Sequence, residues 1–295
     1  MWNPFKKKNK KWIRFYSQHP GVADLNPWIP ASKLQRPWVK NALKKYYTKE
    51  TQCPYKKVQR MWTKYHSVRQ GEVKAEDAMF QHAVTCPAIT GIMEHGFVLV
   101  APADILIQTD GSGDNFEWMA QLLFDSGGQT YVKAHIPEQT EFMRELINPQ
   151  RDVLRHTVKL ELPWRVMAHP DVLFIQMPIP YWDEKRFTPP TGLVDPSYSF
   201  EINLQLFWHD TAPGEHLIKA GTPLCQWMPV DRSFFYAKEN DWDIVIEEMN
   251  EDDKKNNEQM DYNRYMHFME MSSLKDRIEN QKKILKLNKN NERFN

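Results

Sequence analysis

Between Gly96 and Gly221 apolar residues come in short runs separated by polar positions. In HTVKLELPW, Val158, Leu160 and Leu162 alternate with Lys159 and Glu161, and in EINLQLFW, Ile202, Leu204 and Leu206 alternate with Asn203 and Gln205. A period of two puts one face of a strand inward and the other outward, which is the pattern of a half-buried antiparallel strand. GFVLV, ADILIQ, QTYVKAHI, DVLFIQMPI and HLIKAG are further runs of strand length, cut by proline, glycine and aspartate. A mainly β core over residues 77–235 follows, built as an antiparallel sandwich or jelly-roll. TDGSGDNFEW and DSGGQT predict glycine turns, and Glu141 to Ile147 a short helix inserted between strands.

On either side of this core the apolar spacing changes. WVKNALKKYY and YKKVQRMWTKYHSV carry aromatic and aliphatic residues at helical intervals, with Trp38, Leu43 and Tyr47 on one face. They predict helices within an arm spanning residues 1–76, whose first dozen residues are expected to be disordered. After an acidic linker, ENDWDIVIEEMNEDDKKNNEQ, the segment 236–295 ends in a predicted helix. Ser272 or Ser273 caps it, and Leu274, Ile278 and Leu285 recur near heptad spacing.

Charge changes the picture of the arm. The chain of 295 residues has a formal net charge of +1. Residues 1–70, however, hold about 17 lysines and arginines against only Asp24 and Glu50, leaving the remainder near −14 by count. Lys6, Lys7, Lys8, Lys10, Lys11, Lys44, Lys45, Lys56 and Lys57 are candidates for contact with nucleic acid, an acidic membrane face or an acidic protein surface. The plainer reading of these lysines is a solubilising face. Cys53, Cys86 and Cys225 form no C-x-x-C pair, so neither a disulfide framework nor a cysteine zinc site is expected, and Cys86 reads as a buried, inert thiol. The cysteine usage gives a reducing, intracellular context as the expectation, and no apolar run approaches membrane-spanning length, which gives a soluble protein.

The chemistry-bearing residues gather in TGLVDPSYSFEI and in GTPLCQ. Gly192, Val194, Asp195, Tyr198, Glu201 and Ile202 occupy, in order, the positions of a motif written G-x-V/I-D-x-x-Y-x-G-E-I, and Gly221 and Gln226 those of a following G-x-x-x-x-Q. Together they resemble the dUTPase and dCTP-deaminase superfamily over residues 155–232. The resemblance implies a trimeric dUTPase-like β-fold in which Asp195 activates water, Tyr198 packs on deoxyribose and Gln226 binds phosphate, with magnesium as the ion. Phe200 stands where the family has a glycine, the upstream DVLFIQMPIP lacks the Arg-Ser phosphate motif, and no glycine follows Gly221 to form a lid. A site without cations and fixed N–H donors cannot hold a triphosphate in line.

IPASK (Ile29–Lys33), RPWVK (Arg36–Lys40), CPAI at Cys86, LPW and GLVD resemble a family of uncharacterised proteins of tailed, notably marine, phages. These two resemblances give the expectation of a non-enzymatic phage structural or assembly protein. It is a homo-oligomer, a trimer above other numbers, that joins other phage proteins in a decoration, neck or tail-associated position. It is located in the virion and, during infection, in the host cytoplasm, with no cofactor and no metal. The alternatives are a magnesium-dependent deoxynucleotide pyrophosphohydrolase and a nucleic-acid binder acting through the basic arm. A third pattern, His169–Pro170–Asp171 followed by His209 or His216 and then Arg232–Ser233, has the residue order of iron and 2-oxoglutarate oxygenases. Three-residue patterns of this kind arise easily in a chain with 10 histidines.

Overall fold

A computed structural model describes residues 11–17, 19–46, 86–120, 131–139 and 153–237, together with positions 246, 248–251, 254, 257 and 279. In chain order the described elements begin with strand β1 (Ile13–Ser17), helical turn α1 (Val22–Leu25), strand β2 (Ile29–Pro30) and helix α2 (Pro37–Tyr46). Next come helix α3 (Pro87–Glu94) and strands β3 (Phe97–Val100), β4 (Ile105–Thr109), β5 (Phe116–Ala120) and β6 (Val132–His135). Strands β7 (Thr157–Ala168), β8 (Val172–Met177), β9 (Phe187–Thr188), β10 (Gly192–Val194), β11 (Glu201–Trp208), β12 (Gly214–Ile218) and β13 (Pro223–Asp231) follow, and helical turn α4 (Arg232–Tyr236) comes after them. The chain is mainly β, and among the described residues every strand pairing is antiparallel.

Two five-stranded sheets and one three-stranded sheet make up this β structure. The first runs β1-β7-β11-β9 with β6 also on β7, the second β10-β8-β13-β3-β2, and the third β12-β4-β5. The first two sheets share a core. Val158, Leu160 and Val166 of β7 and Leu204 and Leu206 of β11 lie in one buried cluster with Leu99 of β3, Phe174 of β8 and Trp227 of β13. The seven strands expected from hydrophobic runs all form, and TDGSGDNFEW makes the β4–β5 hairpin. The expected turn at DSGGQT, the helix at Glu141 to Ile147, YKKVQRMWTKYHSV and the tail helix after Ser272 lie outside the described residues. WVKNALKKY is helical as its spacing predicts. Cys225 is buried, whereas Cys86 is only half-buried because it precedes α3 rather than sitting inside the core. Among the described residues no helix is long and apolar enough to cross a membrane.

One compact unit comprises Met1–Arg36 with Thr90–Asp241, and a second comprises Pro37–Ile89 with Trp242–Asn295. β1 and β2, which precede residue 76, pair with strands that follow it, β1 with β7 and β2 with β3. Ile13 and Phe15 of β1 point inward. The Phe15 ring stacks on Trp28 at 4.1 Å and meets Phe97 edge-on at 5.2 Å, so a residue of the first sheet is packed against the second. Burying a phenylalanine side chain is worth about 1.5–3 kcal/mol, ample reason for a basic segment to join a β core.

The prolines within the described strands have local explanations, Pro223 being the first residue of β13. Pro30 is in the edge strand β2, and Pro229 lies beyond the part of β13 that pairs with β3, so neither removes a ladder bond on two sides. Pro163 falls between the stretch of β7 paired with β6 (Thr157 to Leu160) and that paired with β1 (Trp164 to Ala168). On its other side the β11 register shifts between Glu201 and Asn203, so Pro163 sits at a bulge where an amide proton is not required.

Candidate functional site

Strand β10 delivers Asp195 into a turn. Tyr198 N and Ser199 N donate to Asp195 O at 3.0 and 2.8 Å, while Ser197 N and Oγ donate to Asp195 Oδ1 at 2.9 and 2.6 Å. An aspartate that accepts from the residue two positions on is the usual way a short polar side chain closes such a turn. The second partner comes from 37 residues downstream. Arg232, the first residue of α4, donates Nη1 to Asp195 Oδ2 at 2.5 Å and Nη2 to Oδ1 at 2.7 Å, and its Nε donates to Pro170 O at 2.6 Å. This is a forked guanidinium–carboxylate pair, which fixes orientation as well as charge. Arg232 and then Ser197 hold the Asp195 carboxyl far below the usual carboxylate range.

A second acidic turn lies alongside. Asp231 caps α4 by accepting from Ser233 N at 3.0 Å and Ser233 Oγ at 2.6 Å, and it is ion-paired with Lys11. Lys11 and then Ser233 depress the Asp231 carboxyl in the same way. Lys11 also lies 3.9 Å from Asp171, whose backbone carbonyl receives Arg232 N at 2.8 Å. The residues flanking β8 and β13 are thus tied together by alternating charges. Of the arm's candidate lysines, Lys11 is engaged inside the chain. Those of Lys6, Lys7, Lys8, Lys10, Lys44, Lys45, Lys56 and Lys57 are not among the described side chains.

Tyr198 and Gln226 stand in opposite environments. Tyr198 is 91% exposed, with its ring in solvent. Gln226 is fully buried, and its Nε2 donates to Ile92 O at 2.8 Å and His95 O at 2.7 Å. It closes the carboxyl end of α3, where the last helical carbonyls have no partner within the helix. Along their common neighbour β8, Val194 is opposite Phe174 and Gln226 opposite Met177. The amide nitrogen of Gln226 is spent on α3, while its Oε1 is buried without a hydrogen-bond partner. The remaining motif residues are also accounted for: Val194 packs on the core, Ile202 is buried, and Glu201 pairs with Arg165 at 2.9 Å. Phe200 lies under the Arg165 guanidinium at 5.3 Å.

The oxygenase-like order does not converge in space. His169 is beside Asp171 at 3.6 Å, His209 contacts Thr188 at 2.6 Å, and His216 contacts Asp210 at 3.0 Å. Among the described residues no group of three or more His, Cys, Asp or Glu is placed to hold a metal ion. Arg232 is the partner that motif reading misses. Its signal is the sequence Asp231–Arg232–Ser233 directly after a strand, a helix cap with a cation at the first helical position.

The network makes acid sensitivity predictable. A carboxyl whose folded-state value is depressed stabilises the fold above its unfolded value, and that contribution fades as pH falls. Asp195 and Asp231 should therefore make unfolding steeply easier as pH drops below about 4, the ordinary aspartate value. In urea titrations across pH 2–6, Asp195→Asn should flatten this slope relative to wild type. An unchanged slope would show that the pair carries no linkage.

The fold and this charge-tied turn define an antiparallel β protein with no formed metal centre among its described residues. No family model, no curated protein and no solved structure matches the chain.

Proposed function

We propose that this chain is a non-enzymatic structural or assembly protein of a tailed-phage particle, built on a degenerate dUTPase-like β-domain and acting as a homo-oligomer, with three copies the favoured number. The observation that carries the non-enzymatic part is the forked Asp195–Arg232 pair. A general base needs a free lone pair aimed at water and an affinity for protons near the working pH. Asp195 is ill suited to that role, since Oδ1 accepts from Ser197 and Arg232, Oδ2 accepts from Arg232 and keeps a single lone pair, and the carboxyl is strongly acidified. Gln226 supports the same reading, as its donor group serves two backbone carbonyls. The phage assignment is supported by IPASK, RPWVK, CPAI, LPW and GLVD. In the fold these positions are spread over β2, the α2 and α3 starts, β7 and β10, so they form a scaffold pattern rather than one constellation.

The test is quantitative mass spectrometry of gradient-purified phage particles, together with sedimentation of the isolated protein. Constant stoichiometry to the major capsid protein and a sedimenting oligomer are the expected results. Absence from particles, or a strict monomer at high concentration, would overturn the structural role. Magnesium-dependent release of pyrophosphate from a deoxynucleoside triphosphate, abolished by Asp195→Ala, would establish the enzyme instead.

A further inference from the structure

Strand β1 hides one face and shows the other. Ile13 and Phe15 turn into the core, so Arg14 and Tyr16 take the opposite side, and Trp12 just before them is 47% exposed. The register carries this outward side across the first sheet. Arg14 is opposite Met167 and Tyr16 opposite Arg165 on β7, and Arg165 is in turn opposite Glu201 at the head of β11. The Arg14 guanidinium lies over the Tyr16 ring at 5.0 Å, and that of Arg165 over the Phe200 ring at 5.3 Å. Aromatic rings and guanidinium groups thus alternate from β1 across β7 to the start of β11, where Phe200 is 47% exposed.

Charge decides what such a face can hold. Farther along it, Lys133 of β6 is opposite Lys159 of β7, and both bind Glu161, at 2.5 and 3.0 Å. Among the described residues of this face the cations Arg14, Lys133, Lys159 and Arg165 therefore outnumber the acids Glu161 and Glu201. The acids past the Trp12 end, Asp171, Asp195 and Asp231, are each paired with Lys11 or Arg232. The sequence leading into β1, KKKNKKWIR, has lysine or arginine at six of nine positions and no acid. A partner of opposite charge that also presents flat rings is a nucleic acid, since bases stack on aromatic and guanidinium planes while phosphates meet cations. Stacking of this kind needs unpaired bases, and a five-stranded sheet is too broad to enter a duplex groove about 12 Å wide.

We propose that the outward face of the first sheet binds single-stranded nucleic acid, with bases stacked on Trp12, Tyr16 and Phe200 and phosphates held by Arg14 and Arg165. Trp12 and Tyr16 are four residues apart on a strand that rises about 3.3 Å per residue, so they stand about 13 Å apart, the length of a few nucleotides. Glu201 accepts from Arg165 at 2.9 Å and so fixes that guanidinium beside the Phe200 ring before any ligand arrives. The site differs from the lysines of the arm in kind. Lysines alone hold a phosphate chain, whereas rings set among arginines also take hold of its bases.

The experiment is fluorescence anisotropy of labelled oligothymidylate with the full chain, using unlabelled single strand, a DNA duplex and poly-glutamate as competitors. Binding of the single strand that weakens with added salt is the expected result. Trp12→Ala and Phe200→Ala should each weaken it about tenfold, as the loss of one base–aromatic contact does. Arg14→Gln should lower the slope of log affinity against log salt by about 0.7, the share of one phosphate on a single strand. Met119→Ala, on the third sheet, should leave binding unchanged. Absence of binding overturns the proposal, as does displacement by duplex or poly-glutamate as effective as that by the single strand. Affinity that survives both aromatic substitutions also overturns it and assigns the binding to the lysines of the arm. Trp12 precedes β1 and is half exposed, so Trp12→Ala decides the matter even where Phe200→Ala fails to fold.

Discussion

Gly96→Ala should destabilise the protein by about 2–5 kcal/mol, the largest effect expected of a methyl group added at any of the described glycines. Gly96 follows α3 with φ of +84°, the left-handed conformation that ends helices and that an alanine adopts at a cost of about 1–2 kcal/mol. The added Cβ would also run into the carbonyl oxygen of Trp227, with Met228 Cα at 2.9 Å and Trp227 C at 3.0 Å. Those atoms are backbone, held in β13 between β3 and β8, and cannot swing aside as a side chain would. Overpacking of a rigid site adds about 1–3 kcal/mol. Urea unfolding followed by circular dichroism measures the loss. Gly91→Ala is the control, because a methyl group there would meet nothing within 4 Å and the position is inside α3, where alanine is favoured by about 0.8–1 kcal/mol. A Gly96→Ala protein within about 1 kcal/mol of wild type, on the order of one ordinary surface change, would mean that β13 yields at this point.

Gln226→Ala comes next, at about 3–4 kcal/mol. The change strips Ile92 O and His95 O of their buried donor, and each unsatisfied carbonyl costs about 1–3 kcal/mol. The outcome discriminates between two views of the same residue. A glutamine held for phosphate would leave stability intact when truncated and would alter only ligand affinity. One that seals a helix end lowers the denaturation midpoint with no ligand present. Parallel losses in Gly96→Ala and Gln226→Ala, with α3 and β3 exchanging early in both by hydrogen exchange, would place the α3–β3 junction on β13 as one cooperative seat.

How far the chain could be read from its letters follows from what each element depends on. β7 and β11 were legible because alternation over six or more residues specifies both a strand and its buried face. β2, β9 and β10 have two or three residues each and exist only because a neighbour offers a ladder. β13 was hidden by its two prolines and by a burial pattern without alternation, since Leu224 through Trp227 are all buried with cover on both faces. β1 was obscured by the charge around it. At the candidate site the Asp195 turn was readable from local turn chemistry, whereas its partner Arg232 was not, because nothing in short-range pattern encodes a contact across 37 residues. Gln226 illustrates the converse. Its place in a motif suggested a ligand, and only the α3 carbonyls reveal what its amide serves.

The pairing of β1 with the far half of β7 joins Ile13 to Ala168. On a ribosome adding roughly 5–20 residues each second, some 150 residues of synthesis impose a delay on the order of 10–30 s before that edge exists. During this interval IRFYS is a strand without a sheet, and Phe15 lacks the rings of Phe97, Phe174 and Trp227 that later surround it. The earliest of the described strands to be made thus has no partner until β7 emerges, and its aromatic neighbours on β8 and β13 are made later still.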